Sequence, residues 1–203
     1  MAELYLITPP RIDADFAGVL ARTLDAGPVA ALQIRLKDHS DAEVRGLAPD
    51  LIEIARRRGV TVILNDDPQL ASALGCDGVH LGQDDCSVRQ ARADLGPKAL
   101  IGATCHDSRH LAMVAGEQGA DYVAFGSVYE TATKTPKSRA PLEVFTWWRE
   151  VFELPSVAIG GITPQNARPV VEAGADYLAV SGGIWNWPDG PERACEAFSH
   201  LLD

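Results

Sequence analysis

Two short acidic clusters, Asn65-Asp66-Asp67 and Gly82-Gln83-Asp84-Asp85, each close an apolar run and are the groups in this chain best placed to do chemistry. Residues 60–64 and 78–81 read as short buried strands, with a helical pattern over 68–74 between them. Neighbouring parallel strands deliver their C-terminal ends to the same side of a sheet, so the two clusters converge. Converging carboxylates repel, and a hard divalent cation such as Mg²⁺ relieves the repulsion. A solvated turn accounts readily for one Asp, but less well for two clusters one βα unit apart.

Cations and hydroxyls stand at matching places. In Gln33-Ile34-Arg35-Leu36-Lys37 the alternation puts Gln33, Arg35 and Lys37 on one side, away from Ile34 and Leu36. Helices cover the outside of a parallel barrel strand and disfavour charge there, so these three are expected at a barrel mouth. Gly160-Gly161-Ile162-Thr163 and Ser181-Gly182-Gly183 each follow an apolar run. Glycines let backbone N–H groups approach a ligand closely, and such loops make anion sites. Residues 127–141 form a long polar connection with Lys134, Lys137 and Arg139, which suits a lid closing over phosphate groups.

The elements that must position these groups read as strands at 4–8, 30–36, 60–64, 78–81, 100–104, 122–126, 156–159 and 177–180. Helical spacing covers 17–26, 41–58, 68–74, 87–95, 108–118, 144–152, 164–173 and 191–202. Strict βα alternation over one uninterrupted chain predicts the α/β class and a single (β/α)₈ TIM barrel domain spanning residues 1–203. An internal echo agrees, since Gly119-Ala120-Asp121-Tyr122 and Gly174-Ala175-Asp176-Tyr177 share a pattern that Gly75-Cys76-Asp77-Gly78 repeats more loosely. In each copy Gly ends a helix and Asp makes the turn into a strand.

Composition narrows the partners. A length of 203 residues with 46% hydrophobic and 23% charged residues suits one globular core. A net charge of -10 argues against nucleic acid and against an anionic membrane surface. The start, Met1-Ala2-Glu3-Leu4-Tyr5, shows no signal peptide, and a cytoplasmic location is expected. Cys76, Cys86, Cys105 and Cys195 show no Cys-x-x-Cys spacing and read as incidental or buried thiols. His106 and His110 are four apart and could share a helix face, but no Glu completes a zinc motif. Trp185 and Trp187 suit an aromatic wall, packing or a contact between copies in a homo-oligomer. The basic run Arg56-Arg57-Arg58 reads as a solvated helix end.

Leu4-Tyr5-Leu6-Ile7-Thr8, Gln33 to Lys37, Asn65-Asp66-Asp67, Gly78 to Asp85, Thr131-Ala132-Thr133-Lys134 and Ile159 to Pro164, in this order, resemble the thiamine-phosphate synthase family over nearly the whole chain. The resemblance implies an enzyme joining a hydroxymethylpyrimidine diphosphate to a thiazole phosphate, with release of pyrophosphate and formation of thiamine monophosphate. It further implies Mg²⁺ on Asp66 and Asp85, with Gln33, Arg35, Lys37, Asn65 and Lys134 holding the pyrimidine diphosphate. Thr131, Thr133, Gly161 and the Ser181-Gly182 loop would take the thiazole phosphate. Three departures stand out. Thr104 replaces the family's usual Ser and keeps its hydroxyl; Ser181-Gly182 replaces Val-Ser and leans on backbone N–H groups; and Thr135 follows Lys134 where a second basic residue is common.

Breaking a carbon–pyrophosphate bond leaves a benzylic-type cation that an aminopyrimidine delocalises, so the chief task is stabilising the departing anion. Arg35, Lys37 and Lys134 are the catalytic candidates for that task. Two other classes remain open from residues alone. One is a metal-independent isomerase like the sister thiazole tautomerases, using His80 or His106 for proton transfer. The other is a noncatalytic binding protein for a phosphate ligand. A Schiff-base aldolase fits less well, because Lys37 and Lys134 read as phosphate partners rather than buried lysines.

Overall fold

Alternation along each short apolar run sends one set of side chains outward to helices and the other into a closed lumen. The computed structural model describes residues 2–130 and 138–202. Its strands are β1 (Glu3–Ile7), β2 (Ala31–Ile34), β3 (Thr61–Asn65), β4 (Gly78–Leu81), β5 (Leu100–His106), β6 (Tyr122–Gly126), β7 (Ser156–Ile159) and β8 (Tyr177–Val180). All pair in parallel with their chain neighbours, and β8 returns to β1, giving the (β/α)₈ barrel expected from the alternation.

Around it lie α1 (Phe16–Asp25), α2 (Asp41–Arg56), α3 (Pro68–Leu74), α4 (Val88–Leu95) and α5 (Arg109–Glu117). The series continues with α6 (Glu143–Val151), α7 (Arg168–Glu172), α8 (Gly182–Trp185) and α9 (Pro191–Leu202). Leu4, Leu32, Val62, Val79, Ile101, Val123, Ala158 and Leu178 face outward into one continuous core with the helices. Tyr5, Ile7, Ala31, Ile63, Tyr122, Ala124, Val157 and Ala179 fill the lumen. Side-chain caps set several helix starts. Ser40 makes a capping box with Glu43, and Asp67, Ser87 and Ser108 each accept the N–H three residues on.

Three differences from the sequence reading matter. β5 runs two residues beyond Thr104 through a register shift that places His106 in the left-handed region at φ 54°. This keeps His106 on the strand, so it shares no helix face with His110. α7 starts only at Arg168, because Asn166 accepts the Thr163 N–H at 2.8 Å and donates to the Gly161 carbonyl at 2.9 Å, holding the segment as a turn. The short helix α8 was unforeseen, its four residues being too few for a periodic signal. Arg58 also departs from a solvated run, since it pairs with both carboxylate oxygens of Asp25 at 2.7 and 2.8 Å and ties α2 to α1.

The echoed Gly-x-Asp turns latch the rim opposite the mouth. Asp77, Asp121 and Asp176 each use Oδ2 to accept a backbone N–H of the preceding strand, from Val62 at 2.7 Å, Ile101 at 2.7 Å and Ser156 at 2.8 Å. Ser156 is fully buried, so losing this acceptor strands its N–H. Asp176→Ala should therefore cost about 1–3 kcal/mol of stability in urea unfolding, with ligand binding at the other rim intact. A loss below about 0.5 kcal/mol, the level of an ordinary surface substitution, would contradict the latch.

Candidate active site

The lumen opens at the C-terminal ends of the strands into a cavity of about 540 Å³. Each predicted site residue within the described chain lines it: Gln33, Arg35 and Lys37 after β2, Asn65 and Asp66 after β3, Asp85 after β4, Thr104 on β5, Gly161 after β7, and Ser181 and Gly182 after β8. Thr131, Thr133 and Lys134 lie outside the described residues, as does Lys137 of the expected lid. Sequence reasoning gave no individual role to Ser127 and Glu130 of the expected lid segment, to Thr163 of the glycine loop or to Asn186, which also line the cavity. Thr163 belongs to the Gly-Gly-Ile-Thr-Pro segment that could have named it, whereas Ser127, Glu130 and Asn186 carry no motif of their own.

The bases are placed by the first two strands. Thr8 Oγ1 accepts the Arg35 N–H at 2.8 Å, and the Thr8 N–H donates to the Gln33 carbonyl at 3.0 Å, so the ladder runs past β2 and delivers Arg35 at the mouth. Lys37 makes a direct ion pair with Asp66. Asp66 holds a left-handed backbone, φ 71°, with its N–H donating to the His80 carbonyl at 2.8 Å. That conformation is uncommon outside Gly but open to Asp, and it turns the carboxylate into the cavity. Its neighbour Asp67 serves a different purpose, capping α3 through the Leu70 N–H at 2.9 Å.

Asp85 completes the acidic pair. Its Oδ2 accepts the Gly82 N–H at 2.7 Å. Partial burial raises its carboxyl above the usual range and the adjoining Asp66 adds to this, against the Gly82 N–H and Lys37, which favour the ionised form. Among the described residues no three His, Cys, Asp or Glu side chains cluster as a closed metal cage. Two adjoining carboxylates at an open cavity suit Mg²⁺ in kind, since that ion keeps waters and binds through one or two carboxylates plus substrate phosphate.

On the far side glycines after both β7 and β8 are sterically required. A side chain at Gly161, φ 66°, would come within 2.2 Å of the Glu130 carbonyl, and one at Gly183 within 2.2 Å of the Ile162 carbonyl. The Ser181 hydroxyl donates to the Thr8 carbonyl at 3.3 Å, so backbone N–H groups remain the natural anion contacts there. Arg139 donates its Nε–H to the Val128 carbonyl at 3.1 Å. Trp185 packs on Phe16 with ring centroids 5.0 Å apart and donates to the Ile7 carbonyl at 2.6 Å. Neither Trp185 nor Trp187 lines the cavity, so packing accounts for Trp185 and these two residues wall no ligand space.

At the cavity floor His80 is buried, its Nδ1 3.1 Å from the Tyr122 hydroxyl and its Nε2 2.8 Å from Thr104 Oγ1. Burial lowers its pKa to about 4, with Asp66 opposing and Arg35 assisting that shift. His80 is therefore neutral at physiological pH.

A parallel barrel whose mouth gathers the Asp66–Asp85 pair, the cations Arg35 and Lys37, and glycine-built loops defines the class: a (β/α)₈ enzyme fold with an anion-handling pocket. Residues 4–184 match the family model described as thiamine monophosphate synthase. The thiamine-phosphate synthase of Rhodospirillum centenum is 54% identical over 98% of this chain and 97% of its own length. That of Hyphomonas neptunium is 51% identical over 99% and 94%. The solved thiamine phosphate pyrophosphorylase of Pyrococcus furiosus superposes with a TM-score of 0.87 at 30% identity, covering 98% of this chain and 95% of that one. The chain belongs to the thiamine-phosphate synthase family.

The buried imidazole sets a pH dependence of folding. The unfolded chain takes up a proton near pH 6.5, the folded one only near 4, so stability is complete above about pH 6.5 and falls as the pH drops toward 4. The total is roughly 3 kcal/mol. Urea unfolding of the metal-free protein should show this slope, and His80→Asn should flatten it by most of that amount. Identical pH slopes in the two proteins would refute the assignment.

Proposed function

We propose that this chain is a transferase that joins 4-amino-2-methyl-5-hydroxymethylpyrimidine diphosphate to a thiazole phosphate, forming thiamine monophosphate and pyrophosphate. The observation that carries the reading is the contact of Asp66 with Asp85 at the cavity mouth, flanked by Arg35 and Lys37, in a chain of this family. Asp66 and Asp85 would hold Mg²⁺, which when bound offsets negative charge on the pyrophosphate.

The chain's own groups account for the rest. Arg35 and Lys37 bind and orient the diphosphate, Arg35 as a fixed fork and Lys37 as a point charge that exchanges its pairing with Asp66 for phosphate oxygen. Asn65 at the end of β3 and Gln33 on the lumen wall fix the pyrimidine. The carbon–oxygen bond to pyrophosphate breaks with its electron pair leaving on oxygen, the ring delocalises the positive charge, and the thiazole nitrogen supplies the new bond. No proton has to move in that step, which suits a floor imidazole held neutral. Gly161, Ser181 and Gly182, with Thr131 and Thr133, hold the thiazole phosphate through backbone N–H and hydroxyl groups. Lys134 places a further cation on the departing pyrophosphate.

Pyrophosphate release that requires both substrates and Mg²⁺ tests the reading. Release with neither dependence, or none at all, removes it in favour of an isomerase or a binding protein. Asp66→Asn and Asp85→Asn should each lose turnover while circular dichroism and melting show the fold intact. Full Mg²⁺-dependent turnover in both variants would dismiss the metal assignment.

Lys134 tests transition-state charge. Negative charge grows on the bridging oxygen as the bond breaks, so a cation there gains more in the transition state than in the ground state. Lys134→Ala should cost about 2–4 kcal/mol, mainly in kcat. Lys137→Ala should cost little, as expected for a solvated charge. A Lys134→Ala enzyme with unchanged kcat and a raised KM would show uniform binding instead.

A further inference from the structure

Just below the mouth, the lumen holds a continuous chain of polar side chains whose middle members the reaction above does not use. Gln33 Nε2 donates to the Tyr5 hydroxyl at 3.0 Å, and the Tyr5 and Tyr122 hydroxyls are 2.9 Å apart. Tyr122 meets His80 Nδ1 at 3.1 Å, and His80 Nε2 meets Thr104 Oγ1 at 2.8 Å. The chain thus crosses the barrel from β2 through β1, β6 and β4 to β5. Gln33, Tyr5, Tyr122 and His80 are all buried, while Thr104 opens to the cavity. The crossing depends on Gly102, since a side chain there would fall 2.0 Å from Tyr122 Cζ. The His80 and Tyr122 rings lie nearly parallel, 24° apart, with centroids separated by 5.6 Å.

Proton counting gives this chain a direction. The Gln33 amide nitrogen can only donate, so the Tyr5 oxygen accepts and its single proton goes to Tyr122. Tyr122 then gives its own proton to Nδ1, which leaves the His80 proton on Nε2, donated to Thr104. The Thr104 proton is left for the cavity, and so is the Gln33 carbonyl oxygen. The one other arrangement that pairs every buried group is a complete reversal, with the Gln33 amide turned over. A mixed state strands a buried donor or acceptor, which makes the chain all-or-none.

We propose that these five residues act as one hydrogen-bond relay of fixed polarity, running Gln33, Tyr5, Tyr122, His80, Thr104, in which Tyr5 and Tyr122 are positioning residues that set what the two ends present to a ligand. The β2 end shows an acceptor and the β5 end a donor, and neither changes without the other. Such a pair selects a ring that offers N–H on one edge and an acceptor on another, as an amino-substituted heterocycle does. The match to a pyrimidine rests on the synthase reading; the relay itself does not.

Nitrogen-15 spectra of the imidazoles read the relay directly, because bare and protonated ring nitrogens resonate far apart. In the wild-type protein His80 should show a bare Nδ1 and a protonated Nε2. Gln33→Glu with its carboxyl ionised, as its own carbon-13 shift reports, can only accept and should reverse the tautomer to Nδ1–H. If that carboxyl stays protonated it donates as the amide did, and the tautomer should remain Nε2–H. Adding Tyr5→Phe to Gln33→Glu should abolish any reversal. A wild-type Nδ1–H, an unchanged tautomer opposite an ionised carboxylate, or a reversal that survives Tyr5→Phe would each overturn the relay.

Kinetics test the ligand side. Tyr122→Phe should lower kcat/KM for the pyrimidine diphosphate about tenfold, the scale of one misdirected hydrogen bond in a binding site, with smaller change for the thiazole phosphate. Equal losses for both substrates, or none, would show that the substrate does not read the relay. A wild-type protein that releases no pyrophosphate would fail the synthase reading alone, since the tautomer measurements need no turnover.

Discussion

Closure of an all-parallel sheet is the constraint on which everything else rests. Once β8 pairs with β1, no strand edge is left open, and all eight C-terminal ends share one rim. A parallel strand buries both faces, so its charged residues can stand only where it ends. That is why Arg35, Lys37, Asp66 and Asp85, remote in sequence, become neighbours. The opposite rim carries the Asp77, Asp121 and Asp176 latches, which serve the ladder and have no access to the cavity. One repeated turn thus stabilises the end that does no chemistry, while the other end is left free to vary.

The mouth balances charges that repel and attract within a few ångströms. Asp66 raises the cost of ionising Asp85, and Lys37, paired with Asp66, relieves part of it. A cation that binds both carboxylates and a phosphate that takes up Lys37 would exchange one set of pairings for another without leaving a charge bare. The left-handed backbone at Asp66 belongs to the same economy, since the αL region is open to Asp where it is strained for most side chains. Net charge argued against nucleic acid and an anionic membrane surface, yet a chain at -10 can still focus Arg35 and Lys37 at one opening for a small anion.

Much of this was legible in the sequence because its signals are local. Four strands, among them residues 122–126 and 177–180, have the bounds that their apolar runs and turn residues imply, and the other four differ by one or two residues at an end. Ser40, Asp67, Ser87 and Ser108 mark helix starts, since a capping side chain must lie within three residues of the N–H it satisfies. Strand alternation was enough to aim Gln33, Arg35 and Lys37 inward. What escaped depends on contacts between distant segments. The bulge at Thr104 and His106, the turn held by Asn166, and the Arg58–Asp25 pair each need a partner that the local pattern does not name. Asp66 and Asp67 show the limit most sharply. Adjacent and chemically identical, they take opposite work, because one residue of phase decides which enters the mouth and which caps α3.

The polar lumen carries the same logic one layer deeper. An apolar filling of Leu, Ile and Val would close the barrel at no hydrogen-bonding cost, yet β1, β2, β4 and β6 contribute Tyr5, Gln33, His80 and Tyr122 to its centre. Burial holds both tyrosines as phenols, raising Tyr5 to about 12 and Tyr122 well above the usual phenol range, so each brings one proton and one acceptor to the interior and no charge. Such groups are tolerable only when all are paired, and pairing them all leaves only the two ends to face the ligand. Thr104 closes the chain at one of those ends. A hydroxyl is required there because it alone, among groups of that size, accepts from His80 and still holds a proton to give; Ser meets the same condition, whereas Val would leave His80 Nε2 without a partner.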